Sequence, residues 1–267
     1  MNRKKSKKEK IAEAKCKMIN NNYVLDIPDY EYDVLPCVSV VTITKNRKRI
    51  FELPIYNWEN FIYPNDKIEW VIVDNSLDED LDDILPNDKR INYIKSDNFN
   101  TIGDKRNFAV SECKYEYIVN MDDDDFYFPD SIIAKIKTML FYKKDCVYSA
   151  SIGIFNLKTQ TSQIVSTYKK SFPEATMAFT KNFWKLFKFC SISEDRSEGK
   201  GMINKRYKKI ITIPFWFNCI VFNHNSNITG KLRDVYDKSH HKYANLYDVF
   251  NNETKEIISN ISKIYGL

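Results

Sequence analysis

Four aspartates stand in a row at Asp122 to Asp125, directly after the apolar run Tyr117 to Asn120. Adjacent carboxylates repel one another, so the chain cannot carry them onward through a core. The strand predicted at Tyr117 to Asn120 therefore ends at a polar cleft or surface. While the backbone stays extended, side chains alternate faces, which predicts that Asp122 and Asp124 share one side. Two such carboxylates suit a hard cation such as Mg²⁺ or Mn²⁺. The competing explanation is capping of the helix that Pro129-Asp130-Ser131 starts, where acidic groups favour the N-terminal dipole. Asp130 and Ser131 serve that purpose more directly.

Upstream, short apolar runs alternate with helical patterns. Val38 to Thr44 reads as a buried β-branched strand, followed by polar Lys45 to Arg49 and a helix through Phe51 to Phe61. A second strand spans Ile68 to Val73 and ends at Asp74-Asn75-Ser76; a short third spans Ile91 to Ile94. Helices are predicted over Gly103 to Glu112 and after Pro129, where Ile132, Ile133, Ile136, Met139 and Leu140 recur at helical spacing. Such alternation implies a mostly parallel sheet, with ligands bound beyond the carboxyl ends of its strands. The polar clusters after Thr44, Val73 and Met121 all fall at those ends, which predicts one shared pocket.

The second half is patterned differently. Val147 to Phe155 and Gln163 to Tyr168 read as a β-hairpin, and Ile210 to Phe222 as a final strand running into His224. A surface helix is expected from about 240 to 264. The first 35 residues read as a basic tail (Arg3, Lys4, Lys5, Lys7, Lys8, Lys10) and a connecting arm of marginal helicity over Ile11 to Met18.

Composition excludes several classes. With 43% apolar and 14% aromatic residues the 267-residue chain can build a sizeable core. Its six glycines form neither G-x-G-x-x-G nor a P-loop, which argues against a Rossmann dehydrogenase or a P-loop NTPase. Six scattered cysteines without a C-x-x-C pair indicate free thiols rather than a disulfide or zinc framework, and a reducing compartment. The N-terminus lacks the apolar core of a secretory signal, and the run from 210 to 222 is shorter than the roughly 20 residues of a spanning helix. A soluble, cytoplasmic protein is expected.

Taken in order, Val38-Ser39-Val40-Val41-Thr42-Ile43-Thr44-Lys45-Asn46-Arg47, Val71-Ile72-Val73-Asp74-Asn75-Ser76, Gly103-Asp104-Lys105-Arg106-Asn107, and Met121-Asp122-Asp123-Asp124-Asp125 with Pro129-Asp130 resemble the family 2 type of glycosyltransferase. The resemblance covers residues 37 to about 145 well and 146 to 230 loosely. It implies an α/β fold of GT-A type: a mostly parallel central sheet flanked by helices, a small β-hairpin acceptor subregion and a C-terminal helix. With the patterning at the two ends, about which the resemblance says nothing, the expected division is a tail and arm (1–35), a glycosyltransferase domain (36–235, donor half 36–145, acceptor half 146–235) and a helical extension (236–267).

The implied activity is divalent-metal-dependent transfer of a hexose or N-acetylhexosamine from a UDP-sugar to an acceptor hydroxyl on a glycan or glycoconjugate, with inversion. Thr44, Asn46 and Arg47 would line the nucleotide pocket, and Asp74 with Asn75 would read the pyrimidine, although the common Asp-Asp-Gly-Ser is here Asp74-Asn75-Ser76. Gly103, Lys105, Arg106 and Asn107 would lie by the diphosphate, and Asp122 and Asp123 by the nucleotide sugar. Asp124, Asp122 and His224 would hold Mn²⁺ or Mg²⁺. Asp195 would be the base, with Glu194 and Glu198 as alternates. Among the aromatics Phe179, Phe183, Trp184, Phe187, Phe189 and Trp216, core packing is the expected role for most, and Trp184 is the first candidate for stacking on a sugar.

Two other functions fit parts of the sequence. A carboxylate-metal nuclease could use Asp74 with the aspartate run, but the net charge of +5 is mild and no basic, aromatic-laced face supports nucleic-acid binding. A non-catalytic carbohydrate-binding protein could keep the fold, but the acidic residues are present at every expected position.

Overall fold

Trp70 organises the first half of the chain. Its indole is fully buried, donates to Thr42 Oγ1 (2.9 Å), and lies between Phe51 and Trp58 with ring centroids 6.0 and 5.4 Å away. That cluster joins two strands to the helix between them, which is how a parallel pair is held. The computed structural model describes residues 12–20, 22–166, 173–186, 188–190, 207–224, 241–243 and 245–267.

In chain order the strands are β1 (Ala12–Glu13), β2 (Cys16–Ile19), β3 (Asn22–Leu25), β4 (Val38–Thr44), β5 (Ile68–Asp74), β6 (Ile91–Lys95), β7 (Tyr117–Asn120) and β8 (Asp125–Tyr127). They continue with β9 (Cys146–Ser149), β10 (Ser151–Asn156), β11 (Ser162–Ser166), β12 (Ala178–Thr180), β13 (Ile210–Ile213), β14 (Cys219–Asn223) and β15 (His241–Tyr243). The helices are α1 (Glu52–Asn60), α2 (Ile102–Glu112), α3 (Ser131–Tyr142), α4 (Lys181–Leu186) and α5 (Asn252–Ile264).

The large sheet has the order β1-β13-β9-β12-β7-β4-β5-β6. Only β12 runs antiparallel to its neighbours, so the expected mostly parallel sheet is present. A second sheet, β15-β11-β10-β14-β8, packs its own aromatic core of Phe126, Phe155, Phe222 and Phe250. All six cysteines are free thiols, and no helix among the described residues is long and apolar enough to cross a membrane.

Three expectations need correction. Val147 to Phe155 is two strands: β9 belongs to the large sheet and β10 to the small one, where it pairs with β11. Ile210 to Phe222 divides likewise into β13 and β14, because Pro214 starts a single 3₁₀ turn, Phe215–Phe217, that carries the chain between sheets. The described part of the arm is strand rather than marginal helix: β1 pairs with Ile211 and Thr212, and β2–β3 form a hairpin.

The helix expected from about 240 begins only at Asn252, after β15, which pairs with β11, and a 3₁₀ turn at Leu246–Val249; it also covers more than surface. Asn251 caps it by accepting from Thr254 N (2.8 Å), and Ile257, Ile258 and Ile261 are buried against Ile50, Leu53 and Tyr56. Asn251 Nδ2 and Thr254 Oγ1 both donate to Tyr56 Oη, at 3.0 and 3.1 Å, fixing the helix to α1.

Lys135 on α3 is fully buried, and its Nζ has no hydrogen-bond partner among the described residues; the Tyr127 ring lies 5.5 Å away. Burial pushes its pKa down to about 8, against the opposing pull of Cys219 and Asp122. The unfolded chain, with an ordinary lysine near 10.4, binds the extra proton between those values. Stability therefore rises from about pH 8 to about pH 10.4 and falls again over that same window as pH drops, the full penalty being present below about pH 8. Lys135→Met is expected to raise stability at pH 7 by roughly 2–4 kcal/mol and to remove that rise. Urea denaturation of both proteins at pH 7 and pH 9.5 checks it: an unchanged midpoint at pH 7 would mean the amine is not penalised.

Candidate active site

The loop after β4 turns sharply because Asn46 adopts a left-handed backbone (φ 54°), a conformation asparagine tolerates better than most side chains. Asn46 N donates to Ser76 Oγ (2.7 Å), which ties this loop to the one after β5. The turn sends Arg47 across to the aspartate run, where Nη1 lies 2.6 Å from Asp124 Oδ2 and 3.3 Å from Asp123 Oδ1.

The aspartates do not alternate as an extended strand would place them. Residues 123 and 124 form a turn, so Asp123 and Asp124 both meet Arg47 while Asp122 pairs with Arg106 Nη2 (3.0 Å). Asp125, already in β8, accepts from Phe222 N (3.1 Å) and is structural. Asp122 is held by its backbone, whose N–H donates to Tyr127 Oη (2.8 Å), and Tyr127 in turn donates to Ala175 O (2.9 Å).

β14 delivers His224 to the same point. Its Nε2 lies 3.1 Å from Asp124 Oδ2, and its ring is stacked on Tyr265 just beyond α5, with centroids 4.3 Å apart and planes at 8°. Burial alone would raise the Asp124 pKa, but Arg47 and His224 outweigh it and hold the carboxyl well below the usual range. Asp123 goes the other way: its burial dominates and raises it despite Arg47. Burial disfavours the Arg47 charge, yet Asp124 and Asp123 more than compensate.

Beside this cluster lies a cleft of about 490 Å³ lined by Thr44, Asn46, Arg47, Lys105, Asp123 and Tyr265, with Lys45, Arg49 and four isoleucines completing the wall. It sits at the carboxyl ends of β4 and β7, as the sequence pattern predicts for a parallel sheet. Lys105 spans the cleft floor, donating to Thr44 O (2.9 Å) and to Asn75 Oδ1. Burial pulls its pKa down to about 8, with Asp123 and Asp74 opposing and Arg106 assisting.

Not every candidate faces the cleft. Asp74 is buried, its Oδ1 accepting from Ser76 N (2.8 Å) and Oγ (2.5 Å) and its Oδ2 from Tyr93 Oη (2.9 Å); it does not line the wall. Asn107 is committed to the chain itself: Oδ1 accepts from Trp184 Nε1 (2.8 Å) and Phe189 N (2.9 Å), and Nδ2 donates to Phe189 O (3.0 Å). Trp184 is thereby locked in the core with Phe179, Phe183 and Phe189, so core packing holds for these four. Trp216 is half-buried and stacks on Tyr23 (5.3 Å). Gly103 is buried in the first turn of α2. Glu194, Asp195, Glu198 and Phe187 lie outside the described residues. Sequence reasoning did not single out Ile43, Lys45, Arg49, Ile50, Ile102, Ile264 or Tyr265 as wall residues; for Tyr265, a tyrosine just past an amphipathic helix was the available signal.

The comparisons agree with this architecture, and the fold is of GT-A type. A model of glycosyl transferase family 2 matches residues 39–193, more than half of the chain. The chain belongs to glycosyl transferase family 2. No curated protein sequence matches it significantly. Among solved structures it is similar to S. aureus TarS 1-349 in complex with UDP-GlcNAc (17% identity, TM-score 0.56), covering 72% of this chain and 60% of that one. A further S. aureus TarS structure matches at 16% identity and TM-score 0.54, over 70% of this chain and 36% of that one. The mannosyltransferase PcManGT from Pyrobaculum calidifontis, in complex with GDP-Man and Mn²⁺, is similar at 16% identity and TM-score 0.56, over 87% and 72%. The chain thus spans less than two-thirds of the TarS chains it resembles, and identities this low carry the fold alone.

Proposed function

We propose that the chain transfers a sugar from a nucleoside-diphosphate sugar, UDP-linked, to an acceptor hydroxyl, with Mn²⁺ or Mg²⁺ as cofactor. The observation that carries this reading is the Asp124–His224 pair at the edge of a cleft whose wall includes Lys45, Arg47, Arg49 and Lys105. A carboxylate oxygen and an imidazole nitrogen are reasonable ligands for Mn²⁺. Among the described residues no three His, Cys, Asp or Glu side chains converge as an ion-binding group. Two protein ligands nevertheless fit a cation that draws its remaining ligands from phosphates and water, the usual arrangement when one or two carboxylates meet a substrate diphosphate. When bound, such an ion neutralises charge on the departing diphosphate.

The chain's own residues do the rest. Arg47, paired with Asp123 and Asp124, gains a further anionic partner when the diphosphate enters. Lys105 and Arg49 add positive charge along the same wall. Asp195 takes the proton as the acceptor oxygen attacks the anomeric carbon and the bond to diphosphate breaks, a single displacement with inversion. Uridine preference rests on the family resemblance, because Asp74 is held by Ser76 and Tyr93.

The test is a screen of UDP-, GDP- and CMP-sugars with Mn²⁺ and with excess chelator, reading release of nucleoside diphosphate or monophosphate. Turnover is expected with a UDP-sugar and is lost with the chelator. Turnover of GDP-sugars alone would overturn the uridine preference, undiminished turnover under chelation the metal requirement, and no turnover of any donor the whole reading.

A further inference from the structure

The family match ends at residue 193, yet two of the groups gathered at Asp124 come from beyond it: His224 from the end of β14 and Tyr265 from the end of α5. The His224 side chain is almost wholly buried, with the Tyr265 ring laid flat on it (4.3 Å, 8°). Its Nε2 points at Asp124. Tyr265 and Ile264 also form part of the cleft wall, together with Thr44 and Lys105. α5 is well anchored for such a task, through Tyr56 and through Ile257, Ile258 and Ile261 packed near Ile50, one turn after Arg47.

Imidazole ligands depend on neighbours that fix the plane of the ring, and loss of such neighbours weakens metal binding. We propose that Tyr265 is a positioning residue of the donor site: its ring fixes His224 against Asp124 and closes the cleft wall, making α5 part of the machinery that holds a divalent cation and a nucleoside diphosphate. The inference rests on the donor-site reading given above. The aromatic face is the working part, so phenylalanine suffices and leucine, which fills the space without a flat ring, does not.

Binding of Mn²⁺ in the presence of UDP, and separately of GDP, is measured by calorimetry on the intact chain, with pulsed electron paramagnetic resonance reporting nitrogen coupled to the bound Mn²⁺. Tyr265→Ala and Tyr265→Leu are expected to weaken Mn²⁺ binding about tenfold or more and to lose the nitrogen coupling, as His224→Ala does. Tyr265→Phe keeps both near the parent level. Unliganded thermal midpoints close to the parent's separate this from a general loss of structure. Parent-like binding and nitrogen coupling in the Ala and Leu variants, while Asp124→Asn still abolishes binding, would overturn the role of Tyr265 alone. A Phe variant as weak as Ala would overturn the ring-stacking basis. Failure of the parent to bind Mn²⁺ with either nucleotide would overturn this inference together with the donor-site reading.

Discussion

Asp124→Asn is expected to lower kcat/KM for sugar transfer by about a thousandfold or more, equivalent to roughly 4 kcal/mol of transition-state stabilisation. The substitution removes the one carboxylate that both Arg47 (2.6 Å) and His224 (3.1 Å) share. The fold survives, because Asp123 stays 3.3 Å from Arg47 and keeps that buried guanidinium from being stranded without an anion. Steady-state kinetics with the donor found by screening, beside a thermal melt, separates the two effects. A variant that melts like the parent and retains most of its turnover would remove Asp124 from the chemistry.

The second large effect is expected at Asp195, placed as the base by the family resemblance. Asp195→Asn preserves size and polarity while withdrawing proton acceptance, and a general base contributes about 10²- to 10⁴-fold. The loss should fall on kcat, with donor KM and Mn²⁺ affinity little changed, because Asp195 is assigned to the acceptor hydroxyl rather than to the diphosphate. Glu194→Gln and Glu198→Gln, made alongside, are expected to cost far less. A reversal of that order would transfer the role to the more sensitive glutamate.

The parallel core was legible because β4, β5 and β7 are apolar runs rich in β-branched and aromatic residues, interrupted only by Ser39, Thr42 and Glu69 and each closed by polar residues, and because α3 carries apolar residues at helical spacing. Periodicity reports burial but not which sheet buries a residue. The runs from Val147 and from Ile210 therefore looked like single strands although each changes sheets midway. The aspartate turn was misjudged for a related reason: alternation holds only while the backbone stays extended, and Arg47, 77 residues upstream of Asp124, draws Asp123 and Asp124 to one side. Asp74 could have been read more closely, since an aspartate two residues before a serine readily bonds back to the local chain. Its second partner, Tyr93, comes from a neighbouring strand and leaves no local trace. The Tyr265–His224 stack likewise joins positions 41 residues apart, and nothing in either segment alone announces it.

The paired passage of the chain between its sheets has a mechanical consequence. β9 and β13 lie side by side in the large sheet, and their continuations, β10 and β14, lie side by side in the small one. One covalent connection would act as a swivel, but two adjacent ones behave like a belt and resist torsion. His224, at the far end of that belt, is therefore tethered to the frame carrying Thr44, and rearrangement around a bound donor is left to side chains and loops rather than to rotation of one layer over the other.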